Sequence, residues 1–193
     1  MRSLPILKAA IAGLAASFLA GCLVSEEPVL DAGNGRAAPL DEGVYAACEN
    51  AEDENAEDAQ DCTVFTVTLS DDGAYALAAE DEDEPAQLRF RRVARKAYAV
   101  QSAEDDGYAY YYGAGDSDRF ELTLMMCDAL PEKLRARLVQ KGDLSSDDED
   151  FEVCTVKTLS GLVAAAQAYR RGKTTGDDDA KLVLTPVTNE AEE

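Results

Sequence analysis

The sequence predicts an α+β domain built on an antiparallel β-sheet of about seven or eight strands, curling toward a barrel, with two short helices. Three observations carry this reading. From Cys62 onward, β-branched and aromatic residues alternate with polar ones in short runs. The triplets Asp71-Asp72-Gly73 and Asp105-Asp106-Gly107 separate such runs at hairpin spacing. Two later stretches instead carry apolar residues at helical spacing between start and stop signals.

The strands follow in order. Val64, Thr66 and Thr68 alternate with Phe65, Val67 and Leu69; the first Asp-Asp-Gly then turns the chain, and Tyr75 and Leu77 lie on the return. An acidic run over residues 80–84 leads through Pro85 to Leu88, Phe90 and Val93, where the alternation slips by one residue and predicts a bulge or turn. Residues 97–103 make the next strand and residues 108–112 its return, with Tyr108, Tyr110 and Tyr112 on one face and Tyr111 on the other. Residues 119–126 place Phe120, Leu122, Leu124 and Met126 on one face.

The first helix has Pro131 in its first turn, Leu134 and Leu138 four apart, and Gly142 just past its end. The second presents Leu159, Leu162, Val163, Ala166 and Tyr169 as a stripe, with Arg170 and Arg171 suiting its C-terminal dipole and Gly172 ending it. A last strand over residues 181–188 precedes an acidic tail, residues 189–193, with no means of packing.

The N-terminus has a different character. Arg2 and Lys8 precede an uncharged run over residues 9–20 that ends in Leu19-Ala20-Gly21-Cys22. At about 12 residues the run falls well short of the roughly 20 needed to cross a bilayer, and it reads as a signal peptide. The tetrad resembles the lipobox of bacterial lipoproteins. That resemblance implies removal of residues 1–21, acylation of the Cys22 sulfur, and a membrane anchor of two or more chains, enough for stable attachment. In the family pattern an Asp after the cysteine favours the inner membrane; Leu23 stands there, which implies the outer membrane, facing the periplasm. Residues 22–40, with Pro28, Pro39 and Gly33-Asn34-Gly35, read as the lipidated Cys and a flexible tether spanning about 20 to 25 Å. Residues 41–188 read as a single domain.

Composition bounds the partners. The 193 residues carry 39 acidic and 18 basic side chains, a formal charge of −21, and loss of Arg2 and Lys8 would make it more negative. Such a chain repels nucleic acid and favours basic partners or solvation alone. Beyond Cys22 there are four cysteines. Of three possible connectivities, Cys48 to Cys62 and Cys127 to Cys154 are favoured, since each pair brackets a short local excursion; each bridge contributes about 2 to 4 kcal/mol. The first would staple an acidic segment, residues 49–61, between two strands.

Catalytic chemistry is poorly supported. The chain has no histidine, so the common Ser-His and Cys-His pairs cannot form. Gly115-Asp116-Ser117-Asp118 and Gly172-Lys173-Thr174 lack the partner residues that an esterase or a phosphate loop requires. Contiguous carboxylates at Asp147 to Asp150 point in different directions and do not make a calcium loop. No metal, cofactor or enzymatic activity is expected.

Two clusters are candidate binding surfaces. Arg89, Arg91, Arg92, Arg95 and Lys96 place five cations within eight residues. They suit an anionic glycan or lipid phosphate, or pair with the acidic run at residues 80–84. Tyr108, Tyr110 and Tyr112 offer an amphipathic contact face, or pack as core. The expected function is a non-enzymatic, membrane-anchored module that binds an envelope protein or glycan. Two alternatives are an acidic inhibitor of a basic cell-wall hydrolase such as lysozyme, by analogy alone, and a carboxylate-based glycan hydrolase.

Overall fold

The computed structural model describes residues 21–49, 62–80, 84–146, 154–172 and 181–187. Residues 1–20, 50–61, 81–83, 147–153, 173–180 and 188–193, and with them most of the expected signal peptide and the acidic tail, lie outside the described residues. Within them the order is β1 (Leu23–Ser25), β2 (Gly43–Glu49), β3 (Cys62–Leu69), β4 (Tyr75–Ala79), β5 (Ala86–Ala94), β6 (Ala97–Glu104), β7 (Gly107–Asp116), β8 (Arg119–Leu124), α1 (Glu132–Gln140), β9 (Leu144–Ser145), β10 (Cys154–Val156), α2 (Leu159–Arg170) and β11 (Lys181–Pro186).

Eight strands close an antiparallel barrel in the order β6-β5-β4-β3-β2-β11-β8-β7, sealed by the β6–β7 hairpin. Closure leaves the barrel no open edge. Its hairpins form where the sequence places turns: Gly73 adopts φ +85°, and the alternation slip in β5 is a bulge between Arg92 and Ala94. Inward positions hold Tyr75, Phe90, Tyr98 and Phe120, with ring centroids 5.2 to 6.4 Å apart. An eight-stranded barrel is just wide enough for side chains to fill, and here aromatic rings fill it. Gly113 lies among them because a Cβ there would meet the ring of Phe120.

A second core lies outside the barrel wall. Leu162, Ala165, Ala166 and Tyr169 of α2 pack with Ala99, Tyr110, Met125 and Leu30. The small alanines let the helix approach β6 and β7 closely, so β6 is buried on both faces. Thr158 caps α2, its hydroxyl accepting from the Gly161 N–H at 3.1 Å. In α1 the single fully buried position is Leu138.

Two expectations need correction. Residues 23–40 are not a tether: β1 pairs antiparallel with β7 (Val24 with Ala109, Ser25 with Tyr108) and parallel with β10, and Leu23 and Leu30 are fully buried. The physical reason is Gln101, whose Oε1 accepts from the Val29 and Leu30 N–H groups at 2.9 and 2.7 Å while its Nε2 donates to the Leu30 carbonyl at 3.0 Å. Farther on, Ala37 N–H donates to the Phe90 carbonyl, and Leu40 joins the barrel core with its carbonyl accepting from the Tyr75 hydroxyl. The second correction is at the end of β8. The strand stops at Leu124, and the fully buried residue is Met125, its N–H donating to the Tyr110 carbonyl, whereas Met126 is only half-buried. The eight-stranded barrel with two helices is the α+β fold expected from the sequence, and the short strands β1, β10 and β9 extend the sheet off β7 beside it.

Candidate functional site

Both favoured cystine pairs form. Cys48–Cys62 joins β2 to β3 with Cα atoms 4.3 Å apart, and Cys127–Cys154 ties the end of β8 to β10 with Cα atoms 5.7 Å apart. The two differ in setting: Cys127 and Cys154 are fully buried, whereas Cys62 is exposed.

Cys22 lies between β1 and the second disulfide. Its carbonyl accepts from the Cys154 N–H, it bridges to Met126, and its Sγ lies 3.8 Å from the Met126 Sδ. Only 4 % of the residue is exposed. Burial, reinforced by the Asp128 carboxylate, pushes its thiol up to about 11. The preceding Gly21 carbonyl accepts from the Cys127 N–H.

The five-cation cluster is divided by the fold. Arg89 forms an ion pair with Asp72 and donates to the Asp72 carbonyl at 3.0 Å, while most of the acidic run at residues 80–84 lies outside the described residues. The Ser70 hydroxyl, then Arg89, then the Ala74 N–H hold the Asp72 carboxyl well below the usual range. At the other end Lys96, in the β5–β6 turn and the one non-glycine residue with positive φ among the described residues, pairs with Asp116 at the end of β7 and lowers that carboxyl too. Arg95 stands exposed in the β5–β6 turn. Arg91 and Arg92 remain, and they line a recess of about 260 Å³ together with Arg36, Gly33, Asn34 and Ala37.

Arg36 was missed in the sequence because it lies in the segment read as tether. Parallel bridging of Arg36 to Phe90 brings it beside β5 at the point where β4 has left that strand's edge. The guanidinium groups are held in place: Arg36 donates to the Asp71 carbonyl at 2.8 Å, Arg91 to the Asn34 carbonyl at 3.0 Å, and the Cζ of Arg92 sits 5.8 Å from the Tyr98 ring centroid. None of the three pairs with a carboxylate among the described residues.

The tyrosines alternate as the sequence implies, but their shared face looks into the second core. Tyr110 is fully buried, its hydroxyl 2.6 Å from the Ser25 Oγ. Tyr112 stacks on Tyr169 with ring centroids 6.2 Å apart, and Tyr108 is half-buried. Of the two expectations for these tyrosines, core packing describes their placement, because β1 and α2 cover that face. Tyr111, opposite, packs against the barrel core, and burial raises its hydroxyl pKa.

Among the described residues no three Cys, Asp or Glu side chains converge to hold a metal ion, and no helix is long and apolar enough to cross a membrane. No protein-family model, curated protein or solved structure matches the chain.

Proposed function

We propose that the protein is a lipid-anchored, non-enzymatic binding module of a bacterial cell envelope, acylated on Cys22 and facing the periplasm from the outer membrane. One observation carries the reading: Leu19-Ala20-Gly21-Cys22 ends one residue before β1, so cleavage before Cys22 leaves every described strand and helix in the mature chain. The filled barrel is in keeping with a binding role exercised from the outer surface, toward an envelope protein or a glycan. With no tether, the acyl chains leave from the edge of the folded domain, and the barrel is held close to the bilayer. Acylation requires the Cys22 side chain to leave its contact with Met126, which places lipid transfer before folding is complete.

A second reading has an observation in its favour. The buried Cys22 thiol and the Gly21 carbonyl bonded to Cys127 suit an ordinary secretory signal, cleaved upstream, with Cys22 retained inside the fold. Intact mass of the protein extracted from the producing cells separates the two. An N-terminal Cys22 carrying a diacylglyceryl group supports the anchor, whereas an unmodified Cys22 with Gly21 still attached excludes it. Crosslinking in those cells, with Cys22→Ala as the unanchored control, then identifies what the module touches.

A further inference from the structure

We propose that Arg36, Arg91 and Arg92 form a binding site for a phosphate group. The first argument is charge placement. Acidic side chains outnumber basic ones 39 to 18 over the chain, yet this recess is lined by three arginines and no carboxylate. Two nearby carboxylates, Asp31 and Asp72, are committed elsewhere. Asp31 Oδ1 accepts from the Gly33 and Asn34 N–H groups at 2.7 and 3.0 Å, inside its own turn, and Asp72 is taken by Ser70, Arg89 and Ala74.

The second argument is preorganisation. A guanidinium has five N–H donors in a planar fork. The single donation by Arg36 and the single donation by Arg91 to backbone carbonyls fix those groups while leaving their other donors available. Stacking on Tyr98 does the same for Arg92 without consuming a donor. The wall opposite is rigid as well, since the Asn34 side chain accepts from the Asp31 N–H and donates to the Val29 carbonyl. Side chains already ordered lose less entropy on binding. Three fixed cations favour a compact, multiply charged anion over a monocarboxylate, and guanidinium geometry matches phosphate oxygens. At physiological salt the Debye length is about 8 Å, so the negative charge of more distant surfaces is largely screened at the recess.

The phosphate can belong to a soluble phosphomonoester or to a lipid headgroup. Arg91 and Arg92 pair with Ala99 and Tyr98, toward the β5–β6 turn, and β1 meets β7 at Tyr108 and Ala109. Because β1 runs antiparallel to β7, Cys22 comes back level with Tyr111, whose partner Val100 pairs with Phe90, so the register does not separate the two sources and the experiment must.

The test is titration of the full chain carrying Cys22→Ser, which removes any acyl group, with inorganic phosphate at constant ionic strength set by chloride. Saturable binding is expected, weakened about tenfold in Arg92→Gln and in Arg36→Gln and only partly restored in Arg92→Lys, which keeps the charge but loses the fork. Lys96→Gln, whose partner is Asp116, should stay within about twofold of the parent. Circular dichroism on each variant separates lost binding from lost fold. A parallel arm uses phosphatidylcholine vesicles with and without phosphatidylglycerol. Binding of inorganic phosphate through Arg92 assigns a free phosphate group; recruitment only to phosphatidylglycerol vesicles, abolished by Arg92→Gln, assigns a headgroup. Acetate binding as well as phosphate, an equal loss in Lys96→Gln, or neither phosphate nor Arg92-dependent vesicle binding overturns the proposal.

Discussion

Removing the two disulfides one at a time tests whether loop entropy or core packing decides their contributions. The chain-entropy relation applied to sequence separations of 14 and 27 gives about 3.0 kcal/mol for Cys48–Cys62 and about 3.6 kcal/mol for Cys127–Cys154. On entropy alone the bridges are nearly equivalent. Their settings are not: Cys48 and Cys62 sit at the end of a ladder whose register continues to Gly43 and Val67, so β2 and β3 remain paired without the bond. Cys127 and Cys154 are fully buried in the second core, and β10 otherwise holds its place through only three residues of strand. Replacing both by Ala also removes two buried sulfur atoms, each comparable to a methylene at about 0.8 kcal/mol, plus the cost of the space they leave. Cys127→Ala/Cys154→Ala should therefore lose about 5 to 6 kcal/mol, against about 3 for Cys48→Ala/Cys62→Ala. Urea unfolding followed by circular dichroism measures both. Equal losses, or a smaller loss for the buried pair, would refute the assignment of packing energy to that bridge. The same logic orders reduction: without denaturant, dithiothreitol should open Cys48–Cys62 first.

Three further outcomes are expected. Gln101→Leu strands two N–H groups and a carbonyl of residues 29–30, costing about 3 kcal/mol, and hydrogen exchange should accelerate at Val29 and Leu30 while the amides of β3 stay protected. Gly113→Ala places a methyl 2.7 Å from the Phe120 ring, and the thermal midpoint should fall in line with about 1 to 3 kcal/mol of overpacking; an unchanged midpoint would show that the ring moves freely. Asp72 has a folded pKa below its unfolded value, so its stabilisation is complete above about pH 4 and is lost as the pH falls through the folded value. Asp72→Asn should thus be less stable at neutral pH and show a shallower decline in thermal midpoint on acidification; parallel declines would show that Asp72 contributes nothing.

The barrel was legible because its information is local. Alternation over Val64 to Leu69, the Asp-Asp-Gly turns and the slipped register near Val93 each act within a few residues, and each appears where the sequence puts it. What was not legible depends on distant partners. Residues 23–40 have turn-rich composition and no periodicity, and they are ordered by Gln101, Phe90 and Tyr75, all more than thirty residues away. A lone Gln in a strand gives no signal that it will receive another segment's backbone. The same segment supplies Arg36, so the recess could not be assembled from the Arg89 to Lys96 run, in which Arg89 and Lys96 belong to ion pairs with other hairpins. The tyrosine face shows the complementary limit: period two fixed which side chains share a side, but not that α2 would cover it.

The two cores make the position of Cys22 mechanically specific. β8 leaves β7 after Tyr111, and only that departure lets β1 pair with Tyr108 and Ala109. Cys22 and Leu23 then lie between Met126 and Cys154, beside the bridge that joins Cys127 to Cys154. A load applied at Cys22 passes first into β1, and β1 is held by β7 on one side and by the disulfide-bound β10 on the other. The barrel need not deform, because its ladders are closed without β1. Under the proposed anchoring the buried disulfide would thus resist detachment of the N-terminal strand, while Cys48–Cys62, on β2 and β3, would take no share of that load. If Cys22 is acylated as proposed, its displacement toward the bilayer should loosen the α2 layer while leaving protection in β3 and β4 intact, a pattern that hydrogen exchange on the protein from the producing cells would read directly.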